Sequence, residues 1–180
     1  MDQNQKEIKR IRTAANVGLY GSLLLCIATV AEHYLDKYVW AREITANEYT
    51  RRLFLMVGLV LAVLDIALAL FTMRKQTPRL RQMDTVEEKL SAYRRLVGTI
   101  YYSSLIVVLI VSAIIVITHE NTMIMLLLLL FVTLVLNYPN MYKMKADMGL
   151  LDNEMADLFG NDYIRDKGEG SSTENTNAEQ

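Results

Sequence analysis

Apolar residues fall in four long blocks separated by charged segments, and that clustering excludes an ordinary soluble domain. One block, Leu53 to Met73, is interrupted only by Asp65, Thr72 and the small Gly58. As a helix rising about 1.5 Å per residue it covers roughly 32 Å, the thickness of a bilayer's hydrocarbon core. The basic pairs Arg51-Arg52 and Arg74-Lys75 mark its two mouths. The four blocks predict transmembrane helices at about 13–31, 53–73, 96–118 and 122–142. The expected fold class is therefore an all-α, polytopic membrane protein: four transmembrane helices in an up-down bundle, within residues 1–145.

The first block follows a basic leader holding Lys6, Lys9, Arg10 and Arg12. A signal peptide has that pattern, but the run is long and further blocks follow, so a retained helix is expected. Ala14, Gly18 and Ser22 recur every four residues, a small-residue stripe that lets another helix approach closely. Gly58 and Ala62 repeat the spacing in the second block. Between these blocks Tyr34, Tyr38 and Trp40 suit the headgroup level, and Ala31 to Arg42 could lie along the interface as a helix.

Thr45-x-x-Glu48 and Thr85-x-x-Glu88 have the capping-box pattern, opening the second helix near Ala46 and the third ahead of Leu90 and Tyr93. Pro78 should end any continuation of the second helix. The short turn His119-Glu120-Asn121 makes the third and fourth helices antiparallel neighbours. The fourth block, with neither Gly nor Ala from Met123 to Leu136, reads as lipid-facing all round. Beyond it, residues 146–160 predict a short cytoplasmic amphipathic helix, capped by Asp152 and ended by Gly160. Its Met155, Leu158 and Phe159 are candidates for docking a cytoplasmic partner, or for folding back onto the basic loop. Residues 161–180 form a polar, acidic tail expected to be disordered.

Charge sets the orientation. Four basic residues in the leader and seven between Arg74 and Arg95, against none in the His119 turn, place both termini in the cytoplasm of a plasma (inner) membrane protein. Overall composition adds little: 180 residues, 52% hydrophobic, formal net charge −1. The single Cys26 permits no intrachain disulfide and lies in an apolar run. Leu25 before it is too large for lipoprotein processing.

Arg12, Tyr20, Ser22 and Leu23 align without gaps onto Arg94, Tyr102, Ser104 and Leu105, which suggests two tandem hairpins of the same orientation. The second half also resembles a loose group of small four-helix membrane proteins common in Bacteroidota. Glu87, Lys89, Leu90 and Tyr93, and the ending Tyr138-Pro139-Asn140 through Gly149-Leu150, carry the resemblance. It implies an architecture, with a proline and basic residues after helix four, and no activity.

Asp65 is the first candidate for chemistry, since a carboxylate at mid-membrane needs a partner or a wet cavity. Counted by helical rise, Tyr20, Ser22, Tyr102, Ser103 and Ser104 lie at a similar depth, defining an intramembrane polar layer. A structural hydrogen bond is preferred over a proton- or cation-binding carrier site, because no second intramembrane charge or broken helix accompanies it. Glu32-His33 and His119-Glu120 form a second set whose residue types suit zinc, although adjacent residues diverge around a helix. No Walker loop, Gly-x-Ser-x-Gly, His-Glu-x-x-His or Cys-x-x-Cys is present, so no catalysis and no cofactor are expected. The implied partners are the lipid bilayer, a second copy of the chain, or a cytoplasmic protein; nothing points to nucleic acid.

Overall fold

The computed structural model describes residues 3–35, 47–160 and 163. They form α1 (Gln3–Leu35), α2 (Glu48–Arg81), α3 (Val86–Thr118), α4 (Asn121–Leu136), α5 (Met141–Met148) and α6 (Asp152–Phe159). Tyr38, Trp40, Thr45, the interface helix beyond Leu35 and, except for Tyr163, the tail from 161 onward lie outside the described residues.

Three helices, α1, α2 and α3, are each long and apolar enough to cross a membrane. Each exceeds 30 residues, so at about 1.5 Å per residue each projects well beyond a hydrocarbon core. The surplus lies mostly at the basic end, where Lys6 to Arg12, Arg74 to Arg81 and Lys89 to Arg95 stand together. Thr85 caps α3 as its spacing predicts, its hydroxyl accepting from Glu88 N at 3.4 Å. Pro78 does not end α2, which continues to Arg81. A proline removes one helical hydrogen bond, and α2 closes instead through Gln82 N donating to Arg79 O at 3.2 Å.

α3 is the central helix, touching α1, α2, α4 and α5. Its most extensive partner is α1, and the two run parallel, with Glu7 beside Arg94 at one end and His33 beside His119 at the other. Ile8, Ile11, Ala15, Gly18, Ser22, Cys26, Thr29 and His33 are buried along α1 at steps of three or four. That spacing keeps one stripe against a neighbouring helix, as in a coiled coil. Of the small stripe, Gly18 and Ser22 face inward, whereas Ala15 is fully buried and Ala14 only partly.

α4 is not lipid-facing all round, because Met123, Leu127, Leu130 and Leu134 are buried against the bundle. Nor does it run to residue 142. It ends at Leu136, and α5 departs at 74°. Pro139 lacks an amide hydrogen and disfavours helix at Tyr138, so the chain re-initiates at Asn140, whose side chain accepts from Lys143 N at 2.7 Å.

Within 146–160 the short helix that Gly160 ends is present as α6, and it is separated from α5 at Gly149, whose φ of 61° is the left-handed conformation glycine tolerates. Leu151, not Asp152, is the N-cap of α6. Asp152 instead accepts from Lys145 and from Tyr163, the latter at 2.5 Å.

Candidate functional site

Asp65 lies on the buried face of α2 with Gly58, Ala62 and Ala69, at steps of four, three and four. That face meets α3, and Ser104 donates its hydroxyl to Asp65 Oδ2 at 2.7 Å. Ser103 Oγ lies 3.4 Å from Oδ1 and also faces the Ile100 carbonyl at 3.0 Å. One hydroxyl proton cannot serve both acceptors, so Ser104 makes the strong contact and Ser103 the weaker. Asp65 itself is buried.

The polar layer is thus smaller than its depth implied. Tyr20 and Tyr102 are 62% and 48% exposed and point away from Asp65. The reason is angular: each sits two residues, about 200° of helix, from the buried Ser22 and Ser104. Ser22 is inside, but its hydroxyl has no hydrogen-bond partner among the described residues. Thr133 bonds its own helix at Leu129 O.

A cleft of about 730 Å³ opens between α2 and α3 at the basic end, lined by Gln76, Ser91, Arg95, Thr72 and Thr99 among others. Thr72 is two turns from Asp65 along α2, and the buried Ala69 stands between them. The cleft therefore stops short of the carboxylate.

At the far end His33 and His119 do come together, their rings stacked with centroids 5.8 Å apart. Glu120 is held away from them by another partner. Glu120 Oε1 is engaged by Arg51 Nε at 3.0 Å, and His33 Nε2 pairs with Asn121 Oδ1 at 2.7 Å. Among the described residues no three His, Cys, Asp or Glu side chains converge as a metal site, so Glu32, His33, His119 and Glu120, a weak zinc candidate from their residue types, do not form a ligand cluster.

Of the two roles considered for the α6 residues, the structure shows the folding back. Met155 and Leu158 are buried in the chain's own core, with Ile8, Ile11, Leu90, Tyr93, Met144 and Met148. Phe159 packs on that core and lies under the Arg12 guanidinium, 5.5 Å from its ring centroid. α5 and α6 thus fold back over the projecting ends of α1 and α3.

Long polar contacts, invisible to local patterning, fix this cap and the end of α4 beside it. Arg81 donates to Ala146 O through Nε at 3.1 Å and a terminal nitrogen at 2.7 Å, satisfying a carbonyl at the end of α5. Tyr93 donates to Asp147 at 3.1 Å, Tyr138 to Asn16 at 2.8 Å, and Tyr101 to Leu134 O at 2.8 Å. Burial, with Asp147 alongside, pushes the Tyr93 phenol above its ordinary pKa. Lys145 is raised by its hydrogen bonds to Asp152 and Tyr163.

The chain matches no protein-family model, no curated protein and no solved structure. Three long apolar helices mark it as a membrane protein of the all-α class.

Proposed function

We propose that the chain is a four-span plasma-membrane protein with a structural or partner-binding role and no catalytic one. The observation that carries this reading is how Asp65 is used. Its carboxylate is held by Ser103 and Ser104 between α2 and α3, buried and outside the lining of the cleft. A buried, hydrogen-bonded aspartate ties two helices together without needing a transported ion. The fourth span is α4, antiparallel to α3, whose 16 residues cover about 24 Å before the bend. The basic end, cap included, faces the cytoplasm, because Lys and Arg concentrate there.

Partner binding falls to surfaces other than the cap helix. The outward face of α2, with Met56, Val60, Val63, Leu64 and Phe71 exposed, is available to lipid or to a second copy. A carrier is the second reading, favoured by the polar cleft that enters toward Asp65 from one side. The two part on Asp65→Cys, labelled in the membrane with a water-soluble maleimide. A structural aspartate leaves position 65 unlabelled, whereas labelling from the cleft supports the carrier and overturns the structural role.

A further inference from the structure

A second groove of about 690 Å³ lies between α1 and α3 at the basic end, away from Asp65. Lys6, Lys9 and Arg10 line it from α1, and Arg94, Gly98 and Tyr102 from α3. The α3 residues recur every four positions, so they share one face along the seam. Glu7 bridges the two helices there, its carboxylate 2.9 Å from Arg10 and 3.1 Å from Arg94. That bridge orients both guanidinium groups and cancels one of four positive charges. Lys6 and Lys9 have no ion-pair partner among the described residues.

Along its length the groove changes character. Charge ends at Arg10 and Arg94, and within about 12 Å of further rise come only Thr13, Ala14, Gly98 and the Tyr102 ring. Thr13 already donates its hydroxyl to Lys9 O at 2.8 Å. Ala14 and Gly98 are too small to fill the space between the helices. A cationic mouth leading into an apolar slot is the order of groups on an anionic phospholipid. The cleft between α2 and α3 contrasts with it, because Glu87 and Glu88 on its wall would repel a phosphate.

We infer that this groove holds an anionic phospholipid of the adjoining leaflet, its phosphate between Lys6, Lys9, Arg10 and Arg94 and its first acyl carbons against Gly98 and Tyr102. Basic pockets between membrane helices at the cytoplasmic face have the right charge for such headgroups. A soluble phosphate would use the mouth and leave the slot empty. The inference rests on the membrane-spanning reading. A chain that stays monodisperse without detergent would overturn that reading before lipid is tested.

The experiment is native mass spectrometry and thermal denaturation of the full chain in detergent. Phosphatidylglycerol, phosphatidylcholine and glycerol 1-phosphate are added separately. Phosphatidylglycerol should be retained and raise Tm, with phosphatidylcholine weaker and glycerol 1-phosphate inert. Lys6→Gln with Lys9→Gln should weaken phosphatidylglycerol binding roughly tenfold or more, as loss of two near-surface cations implies. Gly98→Leu should block the slot without disturbing the fold, since a β-carbon built there meets only the Tyr102 ring at 3.9 Å. Equal binding of both lipids, or unchanged phosphatidylglycerol binding in both variants, overturns the inference. So does glycerol 1-phosphate acting as strongly as the lipid, which would make this a soluble-phosphate site.

Discussion

A β-carbon built on Gly18 would stand 2.8 Å from the β-carbon of Tyr101 and 3.1 Å from its carbonyl oxygen. Real side chains do not pack so closely, so α1 and α3 touch backbone to side chain at this point. Gly18→Val should separate the pair and lower stability by about 1–3 kcal/mol or more, the range for overpacking a close contact. Thermal denaturation in detergent reads the loss. Gly98→Ala, where a β-carbon has room, is the matched control and should be near neutral.

Asp65 discriminates among its replacements. An asparagine can accept from Ser104 and donate to Ser103, supplying the proton that the serines lack. Asp65→Asn should therefore remain within about 1 kcal/mol of the native chain, whereas Asp65→Leu strands Ser104 and costs about 1–3 kcal/mol. Native stability in Asp65→Leu would sink the clasp.

The cap's hydrophobic anchor is Met155, which is fully buried. Met155→Ala should destabilise the cap by about 2–5 kcal/mol, seen as faster proteolysis after Gly149 in intact protein. A surface kept open for a partner would show no such change.

Gly149 carries both a left-handed backbone and a tight neighbour, the Arg81 side chain, whose Cγ would lie 2.9 Å from an added β-carbon. Gly149→Ala should cost about 1–2 kcal/mol for the conformation alone. It should also loosen the Arg81 contact with Ala146, measurable as increased amide exchange in α5.

Tyr93 sets an alkaline limit on the cap. Its folded pKa lies above its ordinary value of 10.0, so its contribution is complete below about pH 10 and is lost as pH climbs beyond. Melting temperature against pH should fall on the alkaline side, and Tyr93→Phe should flatten that fall. An unchanged slope in Tyr93→Phe would assign the alkaline loss to other groups.

Much of the membrane part was legible because hydropathy blocks and the Thr85 cap are local signals. Position along the helix axis was legible too, since rise per residue is constant, and counting it put Asp65 level with Ser103 and Ser104, to which it is hydrogen-bonded. Azimuth was not: Tyr20 and Tyr102 share that depth but face outward, about 200° from their buried neighbours. The apolar face of α6 was visible in Met155 and Leu158, but an amphipathic pattern does not name its occupant, which is the chain itself. The Arg81–Ala146 and Tyr93–Asp147 contacts join residues far apart in sequence and leave no periodic trace.

The parallel pairing of α1 with α3 has a consequence for biogenesis. α1 leaves the ribosome first, yet its chief packing surface is completed only when α3 arrives about eighty residues later. Until then Gly18 lacks the close neighbour that Tyr101 supplies, and the stripe it shares with Ser22 is uncovered. An insertion machinery, or lipid itself, must shelter that seam during translation. A chain stopped after α2 should accordingly be a quality-control substrate, although both of its long apolar helices are already made.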